Sequence, residues 1–248
     1  MPNNIDVKGD SIDGSTNHEW EVEVDTGNGL TLVPGATRAR FINTKRDMAF
    51  NMAKSQDGNY SNVTRVGGGG AVNILYSVSP TWRLWIGGVM QRRRNISDIP
   101  VFNLVRGYNR PGEDNLSAAL REAIEETGRD DLMTPILLPG ESINADSAMN
   151  DSVHGGGVDI CRIEVPYGAL LPNGDGTMGF DTEGLTDEQL QEGIYKVVFK
   201  DGSKISGIAG LADGFTLSGY LRLLAYLEKE TGRTVINGGE ILPPYAVE

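Results

Sequence analysis

Cysteine is almost missing from this chain. Cys161 is the only one in 248 residues, so no intrachain disulfide can form and a reducing compartment is expected. Histidine is nearly as scarce: His18 and His154 are too few and too far apart in sequence to read as a zinc site with Cys161. No apolar run approaches the roughly 20 residues a membrane span needs, and no cationic start leads into an apolar core. The expectation is a soluble, cytoplasmic protein. Positive charge is in deficit, with 22 Lys plus Arg against 34 Asp plus Glu and a formal net charge of −12. That balance argues against non-specific binding to nucleic acid or to anionic membranes. A phosphate-bearing ligand would have to be met by local cations and bound metal. Two familiar nucleotide and hydrolase signatures are absent as well. Gly67 to Gly70 lacks the Lys and Ser/Thr of a P-loop and precedes a strand, so it reads as a hinge, and there is no G-x-S-x-G elbow.

The chain is long enough for one large domain or a domain with an appendage. Residues 1 to about 18 are polar and read as loose. Glu19 to Phe41 holds strand-like pieces, EWEVEV and LTLV, around the turn-rich DTGNG, and a short helix is predicted over Lys45 to Lys54. AVNILYSV and WRLWIGGVMQ read as strands joined at Ser79-Pro80, followed by VFNLVRGY. Beyond residue 128, TPILLPGESI, GVDICRIEVP and GIYKVVF read as strands, with an acidic, Gly-rich loop over roughly 172 to 192. Leu217, Tyr220, Leu221, Leu224 and Leu227 mark an amphipathic C-terminal helix closed by Gly232.

What the sequence does contain is concentrated in residues 107 to 128, GYNRPGEDNLSAALREAIEETG. Pro111-Gly112 signals a turn, Asp114 or Asn115 can cap a helix, and Gly128 sits where a left-handed C-cap is expected. Leu116, Ala119, Leu120, Ala123 and Thr127 recur at the spacing of a buried stripe, with Ile124 at its margin. Glu122, Glu125 and Glu126 then project together from nearly the opposite side. Three like charges on one face repel unless a cation lies among them, and hard carboxylate oxygens suit Mg²⁺ or Mn²⁺. Arg121, one turn before Glu125, can orient that carboxylate. Glu113, in the preceding loop, can brace the arrangement or add a metal ligand. A solvated acidic face is the bland alternative, and it does not account for Gly107, Glu113, Arg121 and Gly128 standing in register.

Gly107, five residues, Glu113, seven residues, Arg121-Glu122, two residues, Glu125-Glu126, one residue, Gly128: this spacing resembles the signature of the Nudix hydrolases. The resemblance is strong over 107 to 128 and weaker over about 70 to 230. Within the family it is most similar to the ADP-ribose pyrophosphatase branch, through Gln91-Arg92-Arg93, FNLVRGY and the late segment LADGFTLSGYLRLLAYL. Arg92, Ala123 and Arg129 depart from the aromatic, Leu and aliphatic residues usual at those positions, departures that bear on the substrate pocket and leave the carboxylates intact. The resemblance implies an α/β/α sandwich around a mixed sheet over 67–248, with 1–66 as an N-terminal β-rich extension.

It also implies Mg²⁺-dependent cleavage of the pyrophosphate of a nucleoside diphosphate linked to another moiety, ADP-ribose to AMP and ribose 5-phosphate being the best single guess. The alternatives are another Nudix substrate (dinucleotide, sugar nucleotide or nucleoside triphosphate) or a non-catalytic nucleotide-binding regulatory domain. Glu122, Glu125 and Glu126, with Glu113, are the expected metal ligands. Glu192 is the expected late-loop carboxylate of the catalytic set, ahead of Glu188 and Glu183. Arg92, Arg93, Arg106 and Arg110 are the candidate diphosphate contacts, since guanidinium forks match phosphate oxygens; Arg94 extends that basic stretch. Trp82, Trp85 and Tyr108 are candidates to stack a base, core burial being the commoner fate. By analogy with that branch, residues 19 to 66 would pair across subunits in a homodimer.

Overall fold

A computed structural model divides the chain into two units, one of residues 1–69 with 143–158 and one of residues 70–142 with 159–248. It describes residues 20–25, 37–43, 48–54, 61–65, 69–92, 99–110, 112–143, 157–180, 184–205, 214–236 and 239–242. In the first unit, β1 (Trp20–Asp25), β2 (Thr37–Asn43), β3 (Met48–Lys54) and β4 (Ser61–Arg65) form a four-stranded antiparallel sheet in sequence order. Of the helix expected over Lys45 to Lys54, the described residues Met48–Lys54 are a strand, and 45–47 lie outside the described residues. Met48, Phe50 and Met52 alternate at period two, and β3 pairs along its length with β2, from Met48 opposite Asn43 to Lys54 opposite Thr37. The LTLV strand and the Gly67-Gly68 part of the expected hinge lie outside the described residues.

The second unit is organised around β5 (Gly70–Val78), which is buried on both faces, as only a central strand can be. Beside it run β6 (Leu84–Gln91), β7 (Val101–Asn103) and β8 (Val105–Tyr108). The single VFNLVRGY strand of the sequence reading is two strands, changing partner at Leu104: β7 pairs with β6 and β8 with β5. After α1 (Asn115–Thr127) come β9 (Ile136–Leu137), β10 (Val158–Glu164), β11 (Leu170–Pro172) and β12 (Met178–Phe180). Then follow α2 (Asp187–Gln191), β13 (Ile194–Asp201), α3 (Gly202–Ile205), α4 (Gly214–Thr231), β14 (Thr234–Ile236) and β15 (Glu240–Leu242). The main sheet has the order β11-β12-β13-β6-β5-β10-β9. Tyr76 O, near the end of β5, accepts from Val165 N, just past the end of β10. Those two strands therefore run the same way and the sheet is mixed.

Alternation along the strands divides the core into two layers. Leu75, Val89, Val105, Ile163 and Phe199 face one way and pack with Ala123 of α1. Ile74, Leu104 and Ile160 face the other, against Gly219 of α4, where an added Cβ would stand 2.5 Å from Leu104. Helices thus cover both faces, the α/β/α layering the sequence implies. The predicted stripe of α4 is rotated: Thr216, Gly219, Tyr220, Leu223 and Leu227 are buried, whereas Leu217 and Leu221 are exposed. Glycine at 219 lets the helix approach the sheet closely, so the small residues lie inward. Among the described residues no helix is long and apolar enough to cross a membrane.

Candidate active site

Helix α1 begins and ends where its sequence says. Asp114 is the N-cap, its side chain accepting from Ser117 N at 2.7 Å, and Gly128 closes the helix at φ 70°, its N–H bonded to Ile124 O. The face turned to the sheet differs from the predicted one. Ala118, Ala119, Glu122, Ala123, Glu126 and Thr127 are buried, while Leu116 and Leu120 are exposed. Two of the three carboxylates therefore face inward, with the stripe of small alanines. The reason is close approach: α1 lies directly on β5 and β8, where alanines fit and leucines do not. Asn73 of β5 donates to Ala119 O at 2.8 Å. A Cβ on Gly107 would fall 1.9 Å from the Glu122 carboxyl carbon, so glycine there leaves the room in which that carboxylate sits.

Buried carboxylates need partners, and Arg121 supplies most of them. Its Nε and one Nη bond Glu113 at 2.9 Å each, and that Nη also donates to Tyr108 O at 2.8 Å. The other Nη donates to Glu122 and, at 3.0 Å, to Glu125. All five donors of the guanidinium are thereby engaged. Arg110 adds a second cation, its guanidinium 2.8 Å from Glu125 and its backbone N–H 2.7 Å from Glu113. Glu126 accepts from Arg106 N at 3.3 Å. Burial pushes the Glu122 carboxyl above the usual carboxylate range; the Arg121 charge opposes this, and Glu192 and Glu125 add to it. Hydrogen bonding from Arg121 holds Glu113 below that range. Arg121 stays protonated: burial pulls its pKa down, and the Glu113 and Glu122 carboxylates more than offset that.

Glu192 stands close enough for its charge to act on Glu122, and α2 puts it there. Within the segment read as a loop, Thr186 and Gln189 form a capping box: Thr186 N donates to Gln189 Oε1 at 2.7 Å, and Gln189 N to Thr186 Oγ1 at 3.2 Å. Gln189 Nε2 reaches back 2.8 Å to Glu126 O, satisfying one of the carbonyls left open at the end of α1. Gln91 Nε2 then holds Glu192 O at 3.0 Å. Glu183 and the side chain of Glu188 lie outside the described residues. A further network, missed by the sequence reading, ties the helix entry to β10. Asn109 donates to Asn115 at 2.6 Å, Asn115 to Asp159 at 2.9 Å, and Ser142 to the other Asp159 oxygen.

Of the cations expected to meet a diphosphate, Arg110 has its guanidinium on the Glu125 carboxylate. Arg106 lies over the Phe215 ring at 5.1 Å, Arg92 is exposed with its guanidinium 6.0 Å from the Tyr195 ring, and Arg93 and Arg94 fall outside the described residues. On the outer side of α1, Ser117, Leu120, Arg121, Ile124 and Glu125 line a cleft of about 380 Å³. The donor set fits a hard divalent cation: oxygen ligands only, one of them buried with its affinity for protons raised, and a glycine-made space beside it. As the side chains lie, Glu122 and Glu125 are turned onto Arg121, and among the described residues no three His, Cys, Asp or Glu groups converge on one point.

No protein-family model and no curated protein matches this chain. Among solved structures it is similar to a NUDIX hydrolase from Listeria monocytogenes, at 14% identity and a TM-score of 0.45, over 65% of this chain and 95% of that one. A NUDIX hydrolase from Nitrosomonas europaea is similar at 16% identity and a TM-score of 0.40, over 63% and 89% of the two chains. A structure described as an ADP compounds hydrolase is similar at 12% identity and a TM-score of 0.41, over 84% and 92%.

Proposed function

We propose that the chain is a divalent-metal-dependent Nudix hydrolase that cleaves the pyrophosphate of a nucleoside diphosphate linked to another group, with ADP-ribose as substrate. One observation carries the reading: the residues of the 107–128 spacing rule are interlocked, Arg121 gathering Glu113, Glu122 and Glu125 while Gly107 makes room for Glu122. A merely solvated acidic face would not bury Glu122 and Glu126. Glu122, Glu125 and Glu126, with Glu113, would hold Mg²⁺ or Mn²⁺. Bound there, the metal would neutralise the diphosphate and acidify a water.

The chain's own groups do the rest. Arg121 orients three carboxylates at once, so substrate meets a prearranged set of charges. Glu192, beside Glu122, takes the proton of the attacking water as its oxygen bonds phosphorus and the bridging P–O bond breaks, giving AMP and ribose 5-phosphate. Arg110, 2.8 Å from Glu125, would turn its fork from that carboxylate to a phosphate oxygen. The test is hydrolysis of a panel of ADP-ribose, NADH, a diadenosine polyphosphate, UDP-glucose and the nucleoside triphosphates, with Mg²⁺, with Mn²⁺ and with chelator. Metal-dependent turnover highest on ADP-ribose is expected. Preference for another member would move the substrate and keep the reaction, whereas metal-independent turnover would overturn the reading.

A further inference from the structure

Trp82 is the one non-glycine residue with positive φ among the described residues, at 61°. It closes the turn between β5 and β6, where Trp82 N donates to Ser79 O, Ser79 N to Arg83 O, and Arg83 N to Ser79 Oγ. A left-handed residue ending such a hairpin loop is normally glycine, because a side chain there is strained. The strain is held from outside: Trp82 O accepts from Ile241 N and Gly239 O from Leu84 N, each at 2.7 Å, and Arg83 is paired to Asp201. A disfavoured conformation that its surroundings over-determine points to use of the side chain. That ring is not core; it is 40% exposed.

The ring forms one wall of a cleft of about 350 Å³, which Val78, Ser79, Pro80, Glu164, Tyr167 and Arg233 complete. The Arg233 guanidinium lies over the Trp82 ring, 5.6 Å from its centroid, and would swing off that face to receive an anion as a base takes its place. Glu164 is fixed by the Tyr76 hydroxyl, which donates to it at 2.8 Å. An aromatic wall, a guanidinium and a positioned carboxylate together suit a planar base with N–H donors and an attached anion. In a chain of net charge −12, Arg233 is the local cation that would receive that anion. Gly107, beside Glu122, pairs with Ala71 at the other end of β5, so at about 3.3 Å per residue the cleft lies roughly 25 Å from the glutamates.

We propose that this cleft is a second site, for a nucleoside monophosphate: base on Trp82, base N–H to Glu164, phosphate on Arg233. The test is calorimetric titration of the full chain with AMP, adenosine and inorganic phosphate, with chelator present to remove metal-dependent binding at the glutamates. AMP is expected to bind at one equivalent, and adenosine and phosphate at least about tenfold more weakly. Trp82→Phe should stay within about threefold of the parent, Trp82→Gly should lose about tenfold or more, and Arg233→Gln should weaken AMP but not adenosine. Glycine takes the left-handed conformation without strain, so Trp82→Gly should remain folded by its melting curve and its loss of binding cannot be misfolding. Glu126→Gln should bind AMP as the parent does. No AMP binding at millimolar concentration, binding unaffected by Trp82→Gly, or binding lost in Glu126→Gln would each overturn the proposal. Adenosine bound as tightly as AMP would overturn the role of Arg233. None of these outcomes depends on turnover at α1.

Discussion

At the scale of single residues, Gly107 and Arg121 decide whether the carboxylates keep their places. Gly107→Ala puts a methyl 1.9 Å from the Glu122 carboxyl carbon, so that carboxylate must leave its place beside Arg121. The expected result is about 1–3 kcal/mol lost in urea unfolding, together with a fall in metal-dependent turnover; unchanged rates would show that Glu122 does not need this space. Arg121→Lys keeps the charge and loses the fork that reaches Glu113, Glu122, Glu125 and Tyr108 O together. It should lower kcat more than it raises KM, since it disturbs the reacting groups rather than uniform binding. Cys161 gives a control on the packing. Burial, with the Asp159 charge adding to it, pushes its thiol up to about 12, so the native protein should not react with a thiol reagent at neutral pH and should react fully once unfolded. Rapid native reaction would contradict the buried placement of β10.

At the scale of elements, α2 is the support to remove. Gln189→Ala breaks the capping box and leaves Glu126 O without the Gln189 bond, costing about 1 kcal/mol or a little more. It should also reduce kcat, because α2 leads directly into Glu192. Stability lost with kcat unchanged would separate Glu192 from the chemistry. How much of this was legible follows from the physics of each element. The caps of α1, Asp114 and Gly128, are local chemistry and could be read directly. Its buried face could not, because period counting sends Leu116 and Leu120 inward, whereas close helix–strand approach admits only alanine and carboxylates that Arg121 and a backbone N–H satisfy. α2 is too short to show a period, yet its Thr186-x-x-Gln189 box was a usable signal that the loop reading passed over. Residues 48–54 form a strand because of β2, which lies outside their own propensities. The Asn109-Asn115-Asp159-Ser142 chain joins residues far apart in sequence and left no local trace.

The acid response belongs to the whole molecule. Asp201 is the joint between β13 and α3, accepting from Ser203 N and Oγ on one oxygen and from Arg83 Nε and Nη on the other. Burial works to raise its pKa, but the Ser203 and Arg83 hydrogen bonds outweigh it and hold the carboxyl below the ordinary aspartate value near 4. A depressed folded-state pKa contributes stability that is full above the unfolded value and is lost as pH falls through the folded one. Stability should thus drop below about pH 4, and Asp201→Asn should flatten that part of the profile while lowering stability at neutral pH; an unchanged acid limb would contradict the assignment.

On the proposed reading, the carboxylates on α1 would hold a metal that works on a diphosphate. The measurement that bears on it most directly is product analysis of ADP-ribose incubated with Mg²⁺ and either the parent chain or Glu126→Gln, with thermal melts of both. AMP and ribose 5-phosphate are expected from the parent, none with chelator, and a rate lower by about a hundredfold or more in the variant at a similar melting temperature. Equal rates in parent and variant, or undiminished product in chelator, would contradict it.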